Sequence, residues 1–198
     1  MILQTQEPQI ERPVVEQVVT LRGVSWEQFK AIAANLEEVR GVRLTYLDGV
    51  LEIVSPIGEL HEYVKSTLGV LVEAYLRHYK IRHYRLGGFT LEAPGYSSGE
   101  PDESYCIGTK KEIPDIVIEV IVTSGTINRR ELFRPLKVPE VWFWRKKQLR
   151  VFCLMGDQYE ERDRSQLLPD LDLSLLLKYV DHPDQYDAVQ EFLAQISR

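Results

Sequence analysis

Only two cysteines, Cys106 and Cys153, occur among 198 residues. Neither has a Cys or His nearby at zinc-finger spacing, and two cysteines make no disulfide framework. No apolar run approaches the ~20 residues that a membrane helix needs, so no membrane partner is expected. The opening MILQTQEPQIERPVVEQ lacks the basic start and apolar stretch of a secretory signal, which makes the cytoplasm the expected compartment. Internal repeats and low-complexity segments are missing as well. So is a positive balance: the net charge is −6, which disfavours bulk attraction to nucleic acid.

What is present is ordinary for a globular chain, with 44% hydrophobic and 27% charged residues. The length suits one domain with a sizeable core. The Gln, Glu and Pro content of residues 1–16 reads as a flexible tail, which leaves 17–198 for the domain. Charge is unevenly spread. Arg129 to Arg150 holds eight basic residues and two acids, so it carries +6 against −12 elsewhere. A phosphate backbone could use such a stripe, with Arg130, Arg134, Lys146 and Lys147 as candidate contacts. A solvated helix and hairpin explain it equally well.

Ser25-Trp26-Glu27-Gln28 fits a capping box, followed by Phe29, Ile32, Ala33 and Leu36 on one helical face. Arg43 to Val54 reads as a hairpin around Asp48-Gly49, a pair that tolerates the positive φ of a tight turn. Leu60 to His78 is the longest helical pattern. Ile81 to Leu91 reads as a strand with a bend at Gly87-Gly88. A polar loop through Ser97-Ser98-Gly99 leads to a short strand after Pro101. The β-branched run Ile116 to Val122 reads as a central strand buried on both faces. A short helix ends near Arg134, before Pro135. Glu140–Trp144 and Leu149–Leu154 form a second hairpin, and a helix from Pro183, at its first position, to Ile196 closes the chain. This order predicts an α+β fold, a mixed sheet flanked by helices in one domain.

Glu119 is the only charge in the run Ile116–Val122. A bare carboxylate there costs several kcal/mol or gives up its charge. A divalent cation would offset that, because hard cations prefer carboxylate oxygens. An exposed strand edge, or a partner such as Arg129 or Lys137, would also do. Asp102 follows Pro101, and alternation puts Asp102, Ser104 and Cys106 on one face. Two carboxylates on neighbouring strands can share one metal, although Pro-Asp also serves as plain turn chemistry. Trp142 and Trp144 could stack on bases or fill the core.

Several segments together resemble the Uma-two family of endonucleases, in the restriction-endonuclease-like superfamily. They are Leu47-Asp48-Gly49-Val50-Leu51-Glu52, Ser55-Pro56 with His61, Glu100-Pro101-Asp102-Glu103-Ser104-Tyr105, Pro114 to Val120, Thr123-Ser124, Ile127-Asn128-Arg129 and Val138-Pro139-Glu140-Val141-Trp142. The resemblance spans roughly residues 20 to 178. It implies a restriction-endonuclease-like core. The superfamily's pattern is Pro-Asp, a gap, then Asp or Glu, any residue, and Lys. Carried over, Asp102 and Glu119 bind Mg²⁺ or Mn²⁺ together with the Val120 carbonyl. The lysine position is Ile121, and Arg129 stands where the family's relocated lysine falls. Arginine keeps its proton, so it can clamp phosphate but cannot act as a base. His61 and Glu62 are candidates for an additional metal-shell residue on the early helix, and His61 also reads as a surface histidine.

The resulting expectation is a metal-dependent endonuclease acting on DNA as a homodimer, with Asp102, Glu119 and Arg129 catalytic. The alternatives are a catalytically weakened nucleic-acid-binding or partner-binding protein on the same fold, and an interaction module whose carboxylates are structural.

Overall fold

Ser25 opens the first helix as its spacing predicts. In the computed structural model, which describes residues 16–55, 58–123 and 125–197, Ser25 Oγ accepts from the Gln28 backbone and its own N–H donates to Gln28 Oε1 at 2.8 Å. Both groups would otherwise lack partners in the first turn. Helix α1 (Trp26–Leu36) then lays Phe29 against Tyr46. Before it, β1 (Gln17–Arg22) pairs with the hairpin β2 (Arg43–Leu47) and β3 (Val50–Ser55). The hairpin turns on Asp48 at φ 42° and Gly49 at φ 80°, the left-handed pair expected of a two-residue loop.

Helix α2 (Glu59–His78) is buried along Val64, Leu68, Leu71, Val72 and Tyr75. Next come β4 (His83–Arg85), β5 (Leu91–Ala93), β6 (Ser97–Gly99) and β7 (Glu103–Ile107). After them run β8 (Ile116–Ile121), α3 (Arg129–Phe133), β9 (Glu140–Arg145), β10 (Gln148–Met155) and β11 (Gln158–Arg162). Helices α4 (Leu173–Val180) and α5 (Gln185–Ile196) close the described chain.

Two sheets result, one in the order β1-β3-β2-β6-β5 and one in the order β11-β10-β9-β8-β7-β4. In the second, β8 and β9 are parallel and the other neighbours antiparallel. A parallel pair needs a crossover, and the segment carrying α3 supplies it. Alternation along β8 sends Ile116, Ile118 and Val120 into a core with α2, α4 and α5. The opposite parity sends Val117 toward Leu132 and Phe133 of α3. Glu119 shares the parity of Val117, so it faces α3 and the first sheet rather than the helical layer.

Several expectations need correcting. Of the two readings of Trp142 and Trp144, core packing holds: they are 0% and 4% exposed within the helical-side core. Ser97–Gly99 is not a loop but β6, paired with β2 and β5. Ile81–Leu91 is not one strand. Gly87 turns the chain at φ 67°, and Gly88 lies so close to Pro101 that a Cβ there would meet its carbonyl oxygen at 2.9 Å. The chain therefore leaves one sheet after β4 and joins the other at β5. Pro183 precedes the cap rather than starting α5, because Asp184 caps it by accepting from Asp187 N at 3.0 Å. Strands β1 and β11 and helix α4 went unanticipated. The two strands are sheet edges with weak alternation, and the leucine run of α4 hides its period. The expected tail, apart from Glu16, lies outside the described residues, as do Pro56 and Ser124 of the family-like segments.

Glu140 shows what one of those segments does. It is 1% exposed, yet its carboxylate accepts from Trp142 Nε1 at 2.9 Å, Ser165 Oγ at 2.7 Å, Gln166 N at 2.6 Å and Leu167 N at 2.9 Å. It pins the loop after β11 to the sheet. Glu140→Ala is expected to cost about 3 kcal/mol or more, since it strands several buried donors. Urea unfolding should show a lowered midpoint with an unchanged slope. A loss under about 1 kcal/mol would mean the loop does not depend on this carboxylate.

Candidate active site

Asp102 sits one residue before β7, where the register Glu103↔Ile118 brings it level with Glu119 of the neighbouring strand. Both side chains are nearly inaccessible, at 2% and 3% exposure. Their surroundings differ. Asp102 is ion-paired to Arg43 of β2, lies 3.2 Å from His61 Nε2 of α2, and accepts from Val120 N at 2.6 Å. Burial works to raise its pKa, but His61, Arg43 and the Val120 N–H together hold it below the ordinary aspartate value. Burial and the Arg43 charge work to lower the His61 pKa, but the Asp102 carboxylate raises it above the ordinary histidine value.

Glu119 is poorly compensated. Oε1 is buried with no hydrogen-bond partner among the described residues, and Oε2 is 3.8 Å from Arg129 Nη1. Burial pushes its pKa up to about 7. Arg129 opposes that rise and the Asp102 charge adds to it. Glu119 thus has a partner in Arg129, as one reading of the sequence anticipated, at a distance that leaves one oxygen open.

Arg129 begins α3, whose cap Asn128 accepts from Arg130 N at 3.2 Å. Its Nη1 donates to Thr45 Oγ1 at 2.8 Å, and its Nη2 lies 3.8 Å from Glu52 Oε2. The guanidinium therefore stands between two buried glutamates. Glu52, on β3 and 1% exposed, accepts from the Thr126 backbone and hydroxyl and from Ile127 N. It shapes the loop that delivers Arg129, and a Cβ on Gly125 would run into its carboxylate.

Glu119, Arg129, Arg43 and His61 line a pocket of about 290 Å³. Its lining includes Glu119, Val120, His61 and five arginines: Arg43, Arg129, Arg130, Arg145 and Arg150. Against Glu16 and Glu119, the only acids in that lining among the described residues, the wall is cationic and suits an anion of phosphate size.

A family model described as "Putative restriction endonuclease" matches residues 26–180, most of the chain. The chain belongs to the Uma2 family. A comparison with curated proteins gave no match. The two sheets with their helical layer are the restriction-endonuclease-like architecture of the Uma2 family, and no described helix is long and apolar enough to cross a membrane.

Of the residues expected in the Uma2 site, Asp102, Glu119, Val120, His61 and Arg129 come together, and Arg130 joins them on the pocket wall. The others stand apart. Glu62 faces solvent and pairs with Lys65 at 2.8 Å, because it lies one position round α2 from His61. Arg134 pairs with Glu131 at 2.6 Å. Lys147 reaches Asp181 at 2.8 Å, toward the helical layer, and neither it nor Lys146 lines the pocket. His61 is 4% exposed and no surface histidine.

Arg43, Thr45 and Glu52 were missed as site residues. Glu52 carried the same signal as Glu119, a lone acid in the apolar run Val50–Val54. Thr45 is its cross-strand partner. Nothing local marks Arg43.

The Glu119 pKa makes stability depend on pH. A folded-state value raised above the unfolded one means that the native state holds the proton more tightly. That stabilisation is complete below about 4.5, the ordinary glutamate value, and is lost as pH rises through about 7. The loss is roughly 3 kcal/mol in metal-free protein. Glu119→Gln should remove this slope and make the metal-free protein more stable at pH 8. Chemical denaturation across pH 4.5 to 8 measures it, and parallel curves for both proteins would show that Glu119 is not strained.

Proposed function

We propose that this Uma2 protein hydrolyses phosphodiester bonds of nucleic acid, most readily DNA, with a divalent ion held by Asp102, Glu119 and the Val120 carbonyl. The observation that carries this reading is the unpartnered, buried Glu119 oxygen beside Asp102 in an arginine-lined pocket. Hard carboxylate donors suit Mg²⁺ or Mn²⁺. The fit is to two acids and a carbonyl, since no cluster of three or more His, Cys, Asp or Glu is arranged for a metal among the described residues. When bound, the ion would polarise the phosphate and lower the pKa of a water.

The protein's own groups divide the remaining work. Arg129 and Arg43 counter the charge that builds on the phosphate oxygens. His61 holds the Asp102 carboxylate in place. Glu52 fixes the Thr126–Ile127 backbone, and with it the start of α3. A homodimer would present two such pockets to two strands.

One set of contacts favours the second reading, a weakened nuclease that mainly binds nucleic acid. Arg43 and His61 already satisfy Asp102, so a metal must compete with two cationic partners. Arg129 also keeps its proton where a lysine could release one. We therefore expect slow cleavage from the natural protein.

Plasmid nicking with Mg²⁺ or Mn²⁺ tests both readings. Asp102→Ala should abolish nicking. Arg129→Lys should raise the rate about tenfold or more, because an ammonium gives up its proton beside a metal far more readily than a guanidinium. Arg129→Ala should lower it. An Arg129→Ala protein that nicks like wild type would remove Arg129 from the site. Wild type that nicks no faster than Asp102→Ala would leave the binding reading alone standing.

A further inference from the structure

Beside the acid pair, three side chains form a row across the sheet. The parallel register sets Glu119 of β8 opposite Phe143 of β9, and the antiparallel register sets Phe143 opposite Arg150 of β10. All three line the same pocket, so carboxylate, ring and guanidinium follow one another on one face. Strands lie about 4.8 Å apart, which puts the Arg150 backbone roughly 10 Å from that of Glu119.

Phe152 lies two residues along β10 and so on the same face. Two cations stand over its ring: the Arg130 guanidinium at 4.9 Å from the centroid and that of Arg150 at 5.2 Å. Arg150 shares its Nε and Nη2 with Glu161 while its side chain stays 55% exposed. Arg130 makes no ion pair among the described residues. Both stand apart from the ion pairs of the acid cluster, which join Asp102 to Arg43 and Glu119 to Arg129. Besides Arg145, the pocket's arginines fall at two positions, Arg43 and Arg129 at the acid cluster and Arg130 and Arg150 over Phe152.

Stacking gives the second position its order. A guanidinium over a ring loses little further freedom when it meets a phosphate, and its planar fork suits phosphate oxygens. Phe143, between the two positions, is 8% exposed and gives the pocket an apolar floor. Access narrows the choice of ligand. Glu119, in the lining of a pocket of about 290 Å³, is only 3% exposed, and Asp102, outside that lining, is 2% exposed. A phosphate on the outside of a duplex is flanked by the bulk of that duplex, whereas a single strand can thread the pocket.

We propose that Arg130 and Arg150, stacked on Phe152, form a second phosphate subsite that holds the phosphodiester next to the one at Asp102 and Glu119, so that the pocket takes a single strand of nucleic acid running across β8, β9 and β10. This rests on the reading of the pocket as a nucleic-acid site, but it concerns binding and needs no cleavage.

The test is calorimetric titration of the full chain in EDTA with two probes, thymidine 5′-monophosphate and the 5′-phosphorylated thymidine dinucleotide. Wild type should bind the two-phosphate dinucleotide at least tenfold more tightly. Arg130→Ala with Arg150→Ala should remove that advantage and leave mononucleotide affinity within twofold. Arg150→Gln, a change at a half-exposed side chain, is the second variant if the double change lowers the melting temperature, and it should remove part of the advantage. The slope of log affinity against log salt for the dinucleotide should fall by about 0.7 in the double variant, the value for one phosphate of a single strand. An unlabelled single strand should compete better than the duplex of the same length. Equal losses for both probes, no loss, no dinucleotide binding by wild type, or a duplex that competes as well would each overturn the subsite. Failure of the nuclease reading is separate: it appears as absent cleavage of a single strand as well as of plasmid with metal, and it leaves these titrations untouched.

Discussion

A carboxylate in the middle of a central strand is the constraint around which this molecule is organised. Strand β8 has neighbours on both sides, so Glu119 cannot escape to an edge. Alternation sends Ile118 and Val120 into the helical core and turns Glu119 the other way. On that side the protein supplies Arg129 and Arg43 rather than a close donor for every oxygen. The cost of an open carboxylate in a dry site is several kcal/mol. The fold sustains it because the rest of β8 is fully apolar and packed on both faces.

From that constraint follow the positions of the surrounding elements. The crossover demanded by the parallel pair β8–β9 carries α3, and α3 carries Arg129. The hairpin β2–β3 of the other sheet meets this crossover with three polar side chains, Arg43, Thr45 and Glu52. Arg43 answers Asp102, Thr45 holds Arg129, and Glu52 gathers the backbone amides before α3. The site is thus assembled from both sheets, and the first sheet is more than a lid on the core. Gly88 and Gly125 allow the approach, one against Pro101 and one against Glu52.

The charge pattern gives the family's chemistry a particular cast here. Buried acids usually gain either a metal or a cation, and in this chain guanidiniums occupy the neighbourhood of both Asp102 and Glu119. A guanidinium neutralises and binds phosphate well but does not exchange protons. The net charge of −6 masks this local field, because five arginines converge on one wall.

Local pattern alone carried much of this. The capping box at Ser25, the Asp48-Gly49 hairpin, the long helix α2 and the buried strand β8 are legible because each follows from spacing, turn chemistry or a run of β-branched residues. Glu119 could be singled out because an acid in an apolar strand is conspicuous without a structure, whereas Asp102 and Arg129 took their roles from the resemblance to the family's motif. The edge strands β1 and β11 and the strand β6 were not legible, since pairing rather than residue type makes them strands. Arg43 and Thr45 were invisible for a related reason: their significance lies in what faces them across 59 and 84 residues of chain. The sequence by itself determined which residues could not be left in water or in oil without consequence. Only the tertiary structure decided which of them meet, because the partner of a buried charge is set by sheet order and crossover, and neither is written in local periodicity.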